Sequence, residues 1–146
     1  MIEQTCVIVK PDGVKRGLAD KIISRYEKEG LKIIAKKKLT ANDVLLTKHY
    51  SAHVGKSFFE PLKQFMMSGH VVAMIIEGES AVSHVRKITG ATDPSKADKG
   101  TIRGDFGIDS QEKADKEKRA IQNLVHASGT IEEANKEIKL WFPEVR

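Results

Sequence analysis

The chain has 146 residues, 40% hydrophobic and 31% charged, with a formal charge of +5. That length holds one ordinary core rather than two, and no apolar run nears the roughly 18 residues of a membrane span, so a single globular unit without a membrane segment is expected. A basic balance favours polyanionic partners, whether nucleic acid, nucleotide or phosphate, and a lone cysteine excludes an internal disulfide framework.

The first residues, Met1-Ile2-Glu3-Gln4, show no basic segment leading into an apolar block, and a cytoplasmic protein is expected. Thr5 to Lys10 is an apolar, β-branched run that stops at the turn-forming Pro11-Asp12-Gly13, which predicts a strand ending at Lys10. Alternation puts Cys6, Ile8 and Lys10 on one face, so the Lys10 ammonium stands at an apolar rim as a snorkelling edge lysine or as an anion contact. Leu18, Ile22, Ile23 and Tyr26 recur at helical spacing with Gly30 as C-cap, predicting a helix from about 18 to 29. Next, Leu31, Ile33, Ala35 and Leu39 alternate with Lys32, Lys36 and Lys38, a strand with one apolar and one basic, solvated face.

Thr40-Ala41-Asn42-Asp43 reads as a cap opening a short helix through about Tyr50. Ser57 caps a second helix whose Phe58, Leu62, Phe65 and Met66 share a face and which stops at Gly69; Phe58, in its first turn, either packs or stacks on a base. Val71 to Ile76 is the signature of a central buried strand, and Val82, Val85 and Ile88 mark a helix from about 79 to 87 with Arg86 near its end. Thr89 to Gly107 reads as a long functional loop carrying Thr92, Lys99, Thr101 and Arg103, all suited to phosphate. Asp109 to Arg119 is nearly all charge, a solvated excursion. Gln122 to Val125 returns as a strand, and Thr130-Ile131-Glu132-Glu133 is a capping box opening a helix that buries Ile131, Ala134, Ile138 and Trp141, with Glu137 on its flank.

This order predicts an α+β protein, a ferredoxin-like α/β sandwich with helices on one face of a four-stranded antiparallel sheet. His126 follows the last strand, and imidazole attacks and leaves readily near neutral pH, which suits a group-transfer relay; a surface or hydrogen-bonded histidine is the plain alternative. Glu137, partly buried, needs a partner, and an imidazole in the turn before its helix qualifies. There is no glycine-rich Walker loop and no protein-kinase signature, so any phosphate chemistry rests on side chains from scattered positions.

Val9-Lys10-Pro11-Asp12-Gly13-Val14-Lys15-Arg16-Gly17, Lys48-His49-Tyr50, Gly100-Thr101-Ile102-Arg103-Gly104-Asp105-Phe106 and Asn123-Leu124-Val125-His126-Ala127-Ser128 together resemble nucleoside diphosphate kinases. The resemblance implies a relay in which His126 takes the γ-phosphate of a nucleoside triphosphate and passes it to a nucleoside diphosphate. It implies catalytic roles for Lys10 and Tyr50, phosphate and sugar contacts from Lys10, Arg86, Thr92, Arg103 and Asn123, and a base clamp from Phe58 and Leu62. Glu137 matches the carboxylate that orients the histidine. It also implies Mg2+ held mainly by the nucleotide phosphates rather than by protein ligands, and a homo-oligomer (tetramer or hexamer); with only 5% aromatic residues the sheet lacks the interleaved rings of an RNA-binding surface, so nucleic acid is expected as at most a secondary partner. Two departures stand out. The charged segment 109 to 122 is longer than usual and is expected to form an extra hairpin or loop at the rim. The usual His-Gly-Ser-Asp reads His126-Ala127-Ser128-Gly129 here, which removes an acid bearing on metal or phosphate positioning.

Overall fold

Two of the apolar runs lie side by side at the centre: β1 (Ile2–Val9) pairs antiparallel with β3 (Val71–Glu79) from Ile2↔Glu79 to Val9↔Val72. The computed structural model describes residues 1–145. Among these residues, β2 (Lys32–Leu39) and β4 (Val125–Ala127) complete one antiparallel sheet in the order β2-β3-β1-β4, the ferredoxin-like arrangement. Each strand side chain has one face to serve, and here both faces are apolar. Val7, Val9, Val72, Met74 and Ile76 pack under α2 (Ala19–Lys28) and α5 (Ala81–Thr89), meeting Ile22, Tyr26 and Val85. On the other face Cys6, Ile8, Val71, Ala73 and Ile75 meet Leu46 of α3 (Asp43–His49), Met66 of α4 (Phe59–Met67) and Trp141 of α8 (Ile131–Trp141).

Helices therefore cover both faces rather than one, because a central strand that is apolar on both sides would otherwise expose one of them to water. Among the described residues no helix is long and apolar enough to cross a membrane. Strand β2 departs from strict alternation. A bulge between Ile33 and Ala35 leaves Ile34 outside the ladder and 43% exposed, and sends Ile33 to the first core while Ala35 and Leu39 serve the second.

Several expected boundaries move, each for a local reason. Pro11-Asp12-Gly13 opens a short helix, α1 (Pro11–Lys15), with proline at its first position, where its missing N–H costs nothing. Ser57 makes no cap: Phe58 takes that position and is 49% exposed, and Phe59 is the ring that turns inward. Ile131, expected inside, is 50% exposed, and Glu137 takes the buried flank between Ala134 and Trp141. Inside the segment read as a loop, the Thr101 hydroxyl accepts from Gly104 N–H and starts α6 (Ile102–Phe106). The charged stretch holds a helix rather than a hairpin or loop, α7 (Gln111–Lys116), capped by Ser110. It is clasped by Arg119, whose two terminal nitrogens reach the two Asp109 oxygens at 2.7 and 2.9 Å. Finally, β4 starts at Val125 instead of Gln122, because Leu124 adopts a left-handed φ of 75° that no ladder accommodates.

Candidate functional site

The β1 terminus and the approach to β4 are tied into one rim. Lys10 N–H donates to Leu124 O at 2.8 Å, and the Asp12 carboxylate accepts from Leu124 N–H at 3.1 Å, so the unusual Leu124 backbone is held from both sides. Lys10 Nζ donates to Asn123 Oδ1 at 2.9 Å, and Asn123 Nδ2 donates to Thr92 O at 3.0 Å. Arg103, from α6, spends Nε on Asn123 O, Nη1 on Gly90 O and Nη2 on Val125 O, at 3.1, 3.0 and 2.6 Å. These ties line a cavity of about 280 Å3 whose walls include Lys10, Arg86, Thr92, Arg103, Asn123 and His126.

The walls are cationic and partly dry. Burial, reinforced by the neighbouring Arg103 charge, lowers the Lys10 ammonium to about 8 even though Asp12 pulls it back up. Burial likewise lowers Arg103 to about 10. Buried cations are costly until an anion joins them. A cavity of this kind is organised to receive phosphate oxygens.

His126 pairs with Ile8 across the ladder, and its Nε2 lies 2.8 Å from Glu137 Oε1 on α8. The same oxygen accepts from Ser128 Oγ at 2.6 Å. Burial raises the Glu137 carboxyl, but the hydrogen bond and charge of His126, with help from His49 and Ser128, outweigh that and keep it below its ordinary value. An ionised carboxylate only accepts, so Nε2 carries the proton and Nδ1 keeps the lone pair. The histidine is thereby oriented with one nitrogen free to attack.

Behind it, the His49 ring lies edge-on to His126 with centroids 4.7 Å apart, and Trp141 Nε1 donates to His49 Nδ1 at 2.9 Å. Burial drives the His49 imidazolium down to about 3, so His49 is neutral with its proton on Nε2. His49, His126 and Glu137 bring ligand-type atoms within 4.8 Å of one another. Their chemistry is not that of a metal centre: His49 offers an N–H where a ligand needs a lone pair, and the Glu137 oxygen nearest His126 is already shared with Ser128.

Not every expected residue reaches the cavity. Tyr50 is buried outside its lining, edge-on to His49 with centroids 4.5 Å apart. Phe58 and Leu62 lie outside the lining; Phe58 leans on His53 at 5.0 Å, and Leu62 is half-buried against the second core. Lys99 is exposed away from the cavity, and the Thr101 hydroxyl is engaged in capping. Conversely, the lining includes Glu133, whose place in the capping box was its only visible signal. The box is half-formed: Thr130 Oγ1 accepts from Glu133 N–H at 3.0 Å, while the Glu133 carboxylate reaches back to Gly129 N–H at 2.9 Å.

The family model described as nucleoside diphosphate kinase matches residues 3–146. A nucleoside diphosphate kinase of Thermoanaerobacter pseudethanolicus is 49% identical over 144 residues, covering 99% of this chain and 99% of the relative. One from Thermococcus kodakarensis is 48% identical over 141 residues, covering 97% of this chain and 77% of the relative. Among solved structures, a nucleoside-diphosphate kinase of Borrelia burgdorferi, a transition-state mimic with bound vanadate and ADP, superposes with a TM-score of 0.93 at 38% identity, covering 97% of this chain and 87% of that one. An NDP kinase from Pyrobaculum aerophilum gives 0.91 at 38% identity, covering 97% and 96%.

Proposed function

The chain belongs to the nucleoside diphosphate kinase family and has that family's phosphotransferase activity, and we propose that it works by a two-step relay through His126. In the first step Nδ1 attacks the γ-phosphorus of a nucleoside triphosphate. The N–P bond forms as the bond to the β,γ-bridging oxygen breaks, and the nucleoside diphosphate departs with that electron pair. In the second step a terminal oxygen of another diphosphate attacks the phosphohistidine phosphorus, and the N–P electrons return to Nδ1. Covalent relay lets one site serve donor and acceptor in turn.

The observation that carries this reading is the His126 Nε2–Glu137 contact of 2.8 Å at the wall of a cavity otherwise rich in phosphate donors. Lys10, Arg86 and Arg103 supply charge to the oxygens of the transferred group, and Thr92 and Asn123 supply neutral contacts to phosphate and sugar. Glu137 holds the imidazole in the attacking tautomer. Tyr50 supports that histidine through His49, and Phe58 with Leu62 forms the base clamp, which suits Phe58's exposed ring. A nucleotide kinase generally uses a divalent metal, and we take the ion to be Mg2+. The residues present fit an ion held mainly by the substrate's phosphates, because the lining is rich in cations and offers no cage of carboxylates. Bound there, the ion supplies neutralisation of phosphate charge.

Nucleoside tri- and diphosphates are the small-molecule partners, and the compartment is the cytoplasm. Residues 1–146 act as one catalytic unit. A homo-oligomer, tetrameric or hexameric, is favoured by β2, an eight-residue edge strand with its outer side unpaired among the described residues. The test is to incubate the protein with γ-labelled ATP and Mg2+. An acid-labile, alkali-stable label that transfers to added GDP is expected for the native chain and none for His126→Ala. Turnover by the variant would overturn the assignment.

A further inference from the structure

Glu133 is the one acidic side chain among the described residues lining the His126 cavity, whose walls also carry Lys10, Arg86 and Arg103. Alone, a carboxylate there repels a nucleotide's phosphates and works against binding. It becomes favourable if a cation stands between the two. Its position is also defined. Oε2 accepts from Gly129 N–H at 2.9 Å, and Oε1 has no hydrogen-bond partner among the described residues. A Cβ built on Gly129 would lie 2.7 Å from that Oε2 and 3.3 Å from Arg86 Nη1. The carboxylate of residue 133 thus occupies the space into which a side chain at 129 would project, beside the same guanidinium. That is the position where the family's more usual sequence carries an acid and this chain carries none.

We propose that Glu133 is a positioning residue for the divalent cation that accompanies the nucleotide's phosphates, replacing from the first turn of α8 the carboxylate absent at position 129. A Mg2+ ion keeps most of its waters, and a carboxylate that accepts hydrogen bonds from those waters orients the ion without displacing them. The inference rests on the kinase reading of the same cavity.

The test is the affinity for ADP, measured by titration calorimetry with Mg2+ and again with EDTA. For Glu133→Gln, which keeps an acceptor for Gly129 N–H, Mg2+-ADP binding is expected to weaken by about tenfold, as for loss of an outer-sphere metal partner. Metal-free ADP is expected to bind as well or more tightly, since a like charge has been removed. Glu133→Ala should show the same loss, and adding Gly129→Asp to it should restore the Mg2+ effect, because the colliding Oε2 is then gone. Equal changes with and without metal would show a merely structural role and overturn the proposal, as would no change in either, or failure of Gly129→Asp to restore the effect. Phosphohistidine labelling of the native chain separates the two readings: no label sinks the kinase relay itself, whereas normal label with a flat Glu133→Gln response sinks only the role of Glu133.

Discussion

Lys10 shows how one residue can be organised for a ligand at the expense of its own comfort. Its ammonium is buried, bonded to Asn123 and lowered to about 8, so near neutral pH the free enzyme holds the charge but only narrowly. Raising the pH through that value removes the proton and with it a positive charge from the wall of the His126 cavity. The kcat/KM for ATP, which reports groups of the free enzyme, is therefore expected to fall above about pH 8. Lys10→Ala should lose on the order of a hundredfold in rate, as for removal of a donor to developing charge, and should lose that alkaline limb as well. A native profile flat to pH 10 would contradict the assignment.

At the scale of elements, the cavity exists because short helices brace short strands. Arg103 joins α6 to the end of α5 and to β4 through three carbonyls, and its planar fork has no equivalent in lysine. Arg103→Lys should cost about 3 kcal/mol by leaving buried carbonyls unpaired, read as a loss of roughly 10 °C in Tm for a chain of this size. An unchanged Tm would mean the three bonds are not formed together in solution. This bracing explains what was legible beforehand. Strands β1 and β3 declare themselves because their runs are continuous, and α2 because its apolar stripe persists for three turns. Helices α6 and α7 span five and six residues, too short for a period to show, and they depend on contacts made only in the fold, such as the Asp109–Arg119 clasp. The β2 bulge is hidden for a similar reason: a run of lysines reads as one solvated face until a register shift divides it. At the site, Lys10, His126 and Glu137 had local signals. Thr92 and Arg103 stand out as phosphate-suited groups in a long loop, Arg86 and Asn123 gain a role only through the family resemblance, and Glu133 signals no more than a cap.

Across the whole molecule, the reactive histidine sits where the sheet meets one helical layer, and a second histidine sits deeper in that layer. His49 belongs to α3, yet it is fixed by Trp141 of α8 and touches His126 of β4, so its environment reports the docking of the layer onto the sheet. Its neighbours in charge are His126, Glu137, Lys10 and Lys136; of these only Glu137 favours a further proton on His49, and burial opposes that proton more strongly than any neighbour. In the unfolded chain the same imidazole titrates near 6.5, whereas in the fold it titrates near 3. Below about pH 6.5 the unfolded state takes up a proton that the folded state refuses, so stability is complete above that pH and declines as the pH falls toward 3. Glu137 adds a loss of its own, but that loss begins only in the carboxylate range, at more acidic pH. Urea unfolding at pH 7, 6, 5 and 4 should therefore show stability already falling between 6.5 and 5. His49→Gln keeps an acceptor for Trp141 and has nothing to titrate; it should flatten that early decline while leaving the later carboxylate limb. A native profile level down to pH 5 would place His49 in contact with water and detach it from the layer.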